Sequence, residues 1–350
     1  MKRTAPISMK TRPDSRRSRS RVLRRGTRAG RGAGYALVVV IWGLGIISLM
    51  IVSFMTTARM RLQAANNIAG ATQADEIAQA AINLAILSLA KERQAVAQAP
   101  VQPTGALPVP TAAPQRIIHA GEPSFCGISG AAVALAVEDE GGKVDLNGAN
   151  QALMKAMLIG FGLGQNDADS AAGAIVAFRS GSGDPGNASA LPGKIGGRQS
   201  KQELFQTVYE LDQVEGFDPS LVRQIIPFVT VHGRRPRVDA ETAPPALFGA
   251  LIGLKPEEVQ TLRATPYPND LDRQDPRFPA AYKQNGDSGI YLIHAESRLG
   301  MGQTAVREAI VDLNGDNGAL FAIREVRRGE LRFLEVLRAA QAQGGLASPC

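Results

Sequence analysis

The sequence predicts an α+β protein in which a long N-terminal helix packs on an antiparallel sheet and a large helical region interrupts the sheet. Three observations support this fold class. An uncharged run covers residues 35–58, and apolar residues then recur at three- and four-residue steps from Met60 to Glu92, as in a helix. Short helical patterns fill residues 150–285. From Ser288 onward, apolar and polar residues alternate in short runs, as in strands.

The uncharged run from Tyr35 to Ala58 contains 24 residues and is long enough to cross a bilayer. At a rise of about 1.5 Å per residue, a helix of that length spans the roughly 30 Å hydrocarbon core. A cleaved secretory signal is one alternative, but its apolar region is typically about 7 to 15 residues long. Because helical sequence continues past the run, we expect a single-pass membrane anchor, with a plain signal anchor as a second alternative.

The positive charge of the chain lies in front of this run. Residues 1–34 hold twelve Lys and Arg against Asp14, about +11; since the whole chain carries +7, the remainder carries about −4. Positive flanks keep the N-terminus of a membrane helix in the cytoplasm. The remainder has no basic footprint for nucleic acid. The leader is long, which leaves Met9 as an alternative start to Met1.

The junction between leader and apolar run carries a family resemblance. Gly34, followed by Tyr35 and an apolar run, resembles the cleavage and methylation site of prepilins and pseudopilins. This resemblance implies that a prepilin peptidase cuts after Gly34 and leaves Tyr35 as the methylated first residue. Most members of the superfamily carry Glu at the fifth mature position, where this chain has Val39. A subunit without that Glu resembles the K-type minor pseudopilin of type II secretion systems (the GspK family), which has no subunit above it.

A second motif points to the same family. Residues 137–147, VEDEGGKVDLN, resemble the DExGKxNLN strand of K-type proteins, which precedes a helical insert. The chain departs from the family at residues 177–184, AFRSGSGD, where K-type proteins commonly carry an acidic Asp-aromatic-x-Asp-x-Asp stretch. Hard cations need several converging oxygens. Any calcium site that relatives build from that stretch is therefore not transferred to this chain, and we expect no cofactor.

The resemblance implies a structural role rather than an enzymatic one. K-type proteins cap the periplasmic pseudopilus with the I-type and J-type minor pseudopilins, which we expect as partners beside other pseudopilins and the prepilin peptidase. The N-terminus is then cytoplasmic, the helix spans the inner membrane, and the head is periplasmic. Within the membrane segment, Gly43 and Gly45 are small enough for close helix approach. We expect Val39, Gly43 and Gly45 to take part in assembly.

Pro-rich and Gly-rich stretches, together with changes of periodicity, divide the chain into seven regions. The predicted regions are a basic prepilin-type leader (1–34), a transmembrane and stalk helix (35–95), a Pro-rich linker (96–114), pilin-like strands (115–149), a helical insert with SAM-like units (150–285), C-terminal strands of the pilin-like sheet (286–340) and a tail (341–350). Predicted strands within these regions are 115–118, 131–137, 290–294, 306–313, 320–326 and 331–336. Helices are expected at 150–162 and 170–178, followed by a loop at 180–200.

The insert supplies the alternative function. Residues 202–263 contain two helical units whose Asp218-Pro219 and Lys255-Pro256 pairs mark helix starts. They resemble the SAM-like or helix-hairpin-helix inserts of K-type proteins, and a helix-hairpin-helix indicates DNA binding. The alternative is therefore a membrane-anchored periplasmic component for DNA binding or uptake. A DNA-binding hairpin uses a Gly-x-Gly turn to offer N–H groups to phosphate, whereas residues 214–218, VEGFD, supply one Gly and two acids.

Two further features leave alternatives open. Cys126 and Cys350 are the only cysteines; in an oxidising periplasm they form one bridge, or they are two separate thiols. Asp312, Asn314 and Asp316 imitate a calcium loop, although the sixth and twelfth positions do not fit, so an Asn- and Gly-rich hairpin turn is favoured.

The three histidines give no catalytic constellation. His119, His232 and His294 are far apart in sequence, without a nucleophile motif or metal-ligand spacing. We expect each to have a polar role on a strand or loop.

Overall fold

The computed structural model describes residues 33–98, 119–180, 203–264, 271–315, 319–342 and residue 350. Two compact units are present, Met1–Ala64 and Ala65–Cys350. The second unit contains the sheet and the inserted helices, and we call it the head.

The seven α-helices of the described residues are α1 (Ala33–Gln98), α2 (Gln151–Gly160), α3 (Gln165–Ser180), α4 (Pro219–Ile225), α5 (Pro245–Leu251), α6 (Pro256–Ala264) and α7 (Leu334–Ala342). α1 contains no proline, and the next one follows at Pro100, so nothing breaks the helix over 66 residues. The predicted continuation of the apolar helix through Glu92 is confirmed. So are the helices at 150–162 and 170–178 and the helix starts at Pro219 and Pro256.

The main sheet is antiparallel and has the order β1-β2-β5-β6-β7. Its strands are β1 (Ser124–Ile128), β2 (Ala131–Asp139), β5 (Ile290–Arg298), β6 (Thr304–Asp312) and β7 (Ala322–Arg327), and a separate parallel pair is formed by β3 (Val144–Asp145) and β4 (Val229–Thr230). β2 pairs directly with β5, so the inserted helices connect, in sequence, two strands that are neighbours in the sheet. The α+β fold class and the interruption of the sheet by a helical region are confirmed.

Helix α1 covers one face of this sheet within the head. Its buried positions follow a helical period: Ala74, Ile77, Ala78, Ala81, Ile82, Ala85, Ile86 and Leu89. They pack on alternate residues of the strands, including Tyr291, Ile293 and Ala295 of β5. The hydroxyl of Ser297 also donates to the carbonyl of Ala74 at 2.6 Å. This apolar layer, which we call the stalk face, fixes the helix on the sheet.

The insert has a hydrophobic core of its own, formed by residues from Val144 to Phe278. Helix α2 approaches α5 so closely that a Cβ added at Gly160 would lie 2.4 Å from the Cβ of Ala250. Stacked aromatic pairs, such as Phe161 on Phe228 with ring centroids 4.7 Å apart, connect the short helices. The insert is therefore a packed subdomain.

Two strand predictions need correction. Residues 331–336 are not a strand: Phe333 and Leu337 are the buried residues, and their spacing of four is helical, as observed in α7. The predicted strand at 115–118 lies outside the described residues, and the strand that pairs with β2 is β1. The predicted loop at 180–200 also lies outside them, except for Ser180 at the end of α3. The remaining four predicted strands match β2, β5, β6 and β7.

Helix α7 lies on the opposite face of the sheet from α1. Phe333 and Leu337 pack against Ala132, Ala134 and Ala136 of β2. The alternating residue Val133 belongs instead to the cluster that contains α1. Since neighbouring residues of a strand point to opposite faces, the sheet is covered on both sides.

Candidate functional site

The membrane-facing candidate is the first part of α1. Large apolar side chains from Tyr35 to Met55 are exposed, from 42% at Ile46 to 77% at Tyr35. By length and composition, one helix among the described residues could cross a membrane, Tyr35–Ala95, and its most apolar stretch is unburied. Water does not favour so much exposed apolar surface, whereas lipid or other apolar helices do.

The predicted processing and assembly residues lie along this helix. Gly34 and Tyr35 are near its beginning, and Val39 is about half exposed. No atom lies within 4 Å of a Cβ added at Gly43 or Gly45. Because an α-helix turns about 100° per residue, these two glycines point to nearly opposite sides, and Gly43 shares its side with Val39. A helix that packs on Gly43 is thus a different neighbour from one that packs on Gly45.

The motif at 137–147 is a junction rather than a single strand. β2 ends at Asp139, a 3₁₀ turn follows at Glu140–Gly142, and β3 begins at Val144. The carboxylate of Asp139 caps the turn by accepting from the N–H of Gly141 at 2.7 Å. A Cβ at Gly142 would lie 2.4 Å from the backbone carbonyl oxygen of Thr242, so this position accepts only glycine without displacement of the backbone.

The second half of the motif fastens the insert. The buried carboxylate of Asp145 accepts the N–H groups of Asn147 at 2.8 Å and Arg234 at 2.6 Å. The amide of Asn147 donates to the carbonyls of Phe205 and Val231, both at 2.9 Å. Burial raises the pKa of Asp145 although these N–H donors oppose the shift. Arg234 adopts a left-handed backbone, with φ of 51°, where Asp145 holds it.

A group of charged side chains lies on the face of the sheet opposite α1. We call it the charged cluster, and its members are Glu138, Glu140, Lys143, His294, Glu296, Glu308, Arg327 and Arg332. His294 is fully buried, with Nδ1 2.8 Å from Oε1 of Glu308 and Nε2 3.0 Å from Oε1 of Glu296. Glu308 also accepts from Arg327 at 2.7 Å and from Arg332 at 3.1 Å. The cluster continues into the 137–147 motif.

The link to the motif runs through Glu138 and Lys143. Arg332 donates to Glu138 at 2.8 Å, and the ammonium of Lys143 lies 3.2 Å from Glu138 and 2.6 Å from Glu140. Lys143 is buried, and the two carboxylates raise its pKa against the effect of burial. The Glu and Lys of the motif thus form part of a buried ion network where the sheet meets the insert.

A disulfide joins Cys126 on β1 to Cys350, with the two Cα atoms 4.9 Å apart and a sequence separation of 224. Of the two alternatives that the sequence left open, the structure has the bridge.

The described calcium candidates, Asp312 and Asn314, use their side-chain oxygens in contacts within the protein. The carboxylate of Asp312 pairs with Arg324 at 2.7 Å and accepts the N–H of Asn314 at 2.9 Å. The side-chain oxygen of Asn314 accepts from Arg93 at 3.3 Å. Asp316 lies outside the described residues. β6 and β7 are antiparallel partners, so the connection between them is a hairpin, as the alternative interpretation predicted.

The histidines are separated, as expected, but their partners were not foreseen. His119 lies 3.4 Å from Glu92, His232 lies 3.6 Å from Glu325, and His294 belongs to the charged cluster. No group of three or more His, Cys, Asp or Glu that could hold a metal ion occurs in the part of the chain that the structure describes.

The DNA-binding alternative gains no support from the insert. Asp218 is the N-cap of α4, and its carboxylate accepts the N–H groups of Ser220 at 2.7 Å and Leu221 at 2.8 Å. A helix-hairpin-helix would offer such groups to a DNA phosphate. Here the carboxylate of Asp218 already accepts these N–H groups, and its negative charge repels a phosphate.

Comparison with known proteins gives a likeness to solved structures. No protein-family model and no curated protein matches the chain. Among solved structures, the chain is similar to one in the crystal structure of the GspK-GspI-GspJ complex from the enterotoxigenic Escherichia coli type 2 secretion system. The identity is 14% and the TM-score 0.45, over 78% of this chain and 99% of that chain. A likeness of this size assigns neither a family nor a partner by itself.

Proposed function

We propose that this protein is a K-type minor pseudopilin that caps a periplasmic pseudopilus of a type II secretion system. The observation that carries the proposal is the first part of α1. An unburied apolar helix begins at the Gly34–Tyr35 junction, has Val39 in place of the usual Glu, and belongs to the same helix that packs on the antiparallel sheet of the head. The role is structural, in protein export rather than catalysis.

The position of Val39 supports a terminal place in the assembly. A carboxylate inside the membrane is costly unless it is paired, and in the superfamily it is thought to pair with the N-terminus of a neighbouring subunit. Val39 is an apolar side chain on an exposed helix surface and offers no such partner. In this proposal the subunit therefore packs by apolar contacts, and its bulky head prevents another subunit from stacking above it.

The two small residues support two helical neighbours. Gly43 and Gly45 are open positions on nearly opposite sides of α1. Small residues let helix backbones approach closely in lipid, where van der Waals packing drives association. In our proposal one side receives the helix of the I-type minor pseudopilin and the other that of the J-type, with the head in the periplasm and the N-terminus in the cytoplasm.

Co-purification tests this proposal. The full chain is co-expressed with I-type and J-type pseudopilins, extracted in detergent and captured through a tag. We expect both partners to be retained, Gly43→Leu to weaken the capture of one and Gly45→Leu that of the other. Leu44→Ile, at an exposed position of the same helix that points about 100° away from each glycine, is the control and should retain both. Absence of both partners at micromolar concentrations would contradict the assignment to the tip.

A further inference from the structure

The charged cluster holds a segment that we call the strap, residues 329–342, which leads into and includes α7. One carboxylate oxygen of Glu296 accepts the backbone N–H of Phe333 at 2.9 Å and also that of Arg332. The guanidinium of Arg332 reaches Glu138 and Glu308 on two different strands. The ring of His294 meets that of Phe333 edge-on, with centroids 5.4 Å apart. The strap is thus attached to the sheet through groups that surround one histidine.

We propose that His294 is a pH-dependent latch: as an imidazolium it holds the strap on the sheet, and its deprotonation as pH rises loosens the strap.

The geometry requires a charged imidazole. Both ring nitrogens of His294 face a carboxylate oxygen at hydrogen-bond distance, 2.8 Å to Glu308 and 3.0 Å to Glu296. Only the imidazolium has an N–H on each nitrogen; a neutral ring has one N–H and one lone pair. Deprotonation therefore places a lone pair against a carboxylate oxygen in a site without water exposure, where such a contact is most costly.

The charges around His294 balance only when it is protonated. Glu296 from its own strand and Glu308 from β6 contact the ring. Around them lie the other charged groups of the cluster: Arg332 from the strap, Arg327 from β7, Glu138 from β2, Lys143 and Glu140. With His294 charged, these are four cations and four carboxylates. Glu325, 3.4 Å from Arg327, lies at the outer edge and also faces His232. Loss of the proton leaves an unbalanced negative charge beside Glu296.

The direction of the pH effect follows from the carboxylates. Burial alone would lower the pKa of His294, but hydrogen bonds to Glu296 and Glu308 raise it above its ordinary value of 6.5. The same contacts, against the effect of burial, lower the pKa of Glu296 and Glu308 below their ordinary value of 4.5. The contribution of His294 to folding stability is therefore complete below pH 6.5 and is lost as pH rises through the folded-state pKa of His294. The contribution of the two Glu to folding stability is complete above pH 4.5 and is lost as pH falls through their folded-state pKa values.

The disulfide limits how far the strap moves. Beyond α7 the chain is bonded at Cys350 to Cys126 of β1. A strap released at Glu296 is therefore still tethered to the head, and the opening is local and reversible.

Hydrogen exchange of the full chain in detergent micelles tests the latch. Between about pH 6 and about pH 9, after correction for the intrinsic rate, protection of amides in 329–342 should fall about tenfold for each unit by which the folded pKa of His294 exceeds its ordinary value. Amides of Tyr291 and Ile293, which belong to the central strand and exchange only when the head unfolds, should remain more strongly protected than the strap at both pH values. A strap whose protection does not change with pH would overturn the proposal.

Two variants and a titration make the test specific. His294→Gln, which cannot carry a charge, should show weak strap protection at every pH and no step, whereas His119→Gln, outside the cluster, should keep the step. An unchanged step in His294→Gln would also overturn the latch. If that variant does not fold, NMR titration of His294 in the unmodified chain decides: a midpoint above 6.5 supports the latch, and one at or below 6.5 contradicts it.

Discussion

The two faces of the five-stranded sheet are covered by different chemistry. The stalk face is apolar, and Ile82 of α1 and Ile293 of β5 belong to one cluster of buried side chains without charge. The opposite face carries His294 and Glu296 on the same strand, covered by the strap. Burial of apolar groups stabilises without regard to pH, whereas a buried ion network depends on every partner and on its protonation. The comparison indicates a permanently attached helix on one face and a conditional cover on the other.

The largest effect is expected from Glu308→Gln, which removes the shared carboxylate of the charged cluster. His294, Arg327 and Arg332 would then lose their common counter-charge in a site where Glu308 is 3% exposed. Breaking a buried pair costs about 3 to 5 kcal/mol of the free energy of unfolding. Pulse proteolysis of the head in urea measures this cost on the full chain in detergent.

Glu330→Gln is the matched control for that substitution, because Glu330 is exposed in the strap. It should change stability by no more than about 0.5 kcal/mol. A cost below about 1 kcal/mol for Glu308→Gln would mean that the cluster does not hold this face.

A slightly smaller effect is expected from Ile293→Ala on the stalk face. Ile293 is fully buried under α1, and truncation of a buried Ile costs about 2 to 5 kcal/mol. Unlike the previous effect, this cost should be the same at pH 6 and pH 9, because no ionisable group is involved. Ile323→Ala, at an exposed position of β7, should cost far less. If the cost of Ile293→Ala depended on pH, the two faces of the sheet would not differ in the pH dependence of their stability.

The smallest effect belongs to the ion pair at the margin of the stalk face. Arg307 holds Asp75 of α1 with a bidentate contact, 2.6 Å from Nε to Oδ1, and lowers the pKa of that carboxyl. Both side chains are more than a quarter exposed, so solvent screens them. A double-mutant cycle with Asp75→Asn and Arg307→Gln should give a coupling of about 0.2 to 1 kcal/mol, decreasing with salt. A coupling above about 2 kcal/mol would mean that this ion pair, and not only apolar packing, holds α1 on the stalk face.

The elements with strong local signals could be predicted from the sequence. The long helix, the insert between β2 and β5, and the hairpin of β6 and β7 each have a periodicity or turn pattern that extends over many residues. The strand predicted at 331–336 is wrong because a mixed apolar and polar pattern over only six residues is compatible with both a strand and a helix. The 137–147 motif is not a single strand, because Gly141 and Gly142 lie in a 3₁₀ turn and Gly142 packs against the backbone of Thr242, a contact between segments about 100 residues apart that local sequence does not show.

The charged cluster could not be foreseen for a different reason. His294 and Glu296 are two residues apart and share one face of a strand, but a polar face normally points to solvent. Their burial depends on contacts with Arg332 and Phe333, 36 or more residues away. Local sequence carries no signal for a cover of this kind. A polar pair on a strand next to an Arg-rich segment with one buried aromatic would be the pattern to search for.

Sequencing the N-terminus of the full-length protein extracted from the membrane tests the proposed function most directly. We expect a mature chain that begins at N-methylated Tyr35, and a Gly34→Leu variant that stays in the membrane as the longer precursor. The residue before the cut must be without a side chain, which is why this one substitution blocks processing. An unprocessed N-terminus in the unmodified protein, cleavage behind residue 58, or mature protein of unchanged size from the Gly34→Leu variant would contradict the assignment to the pseudopilins.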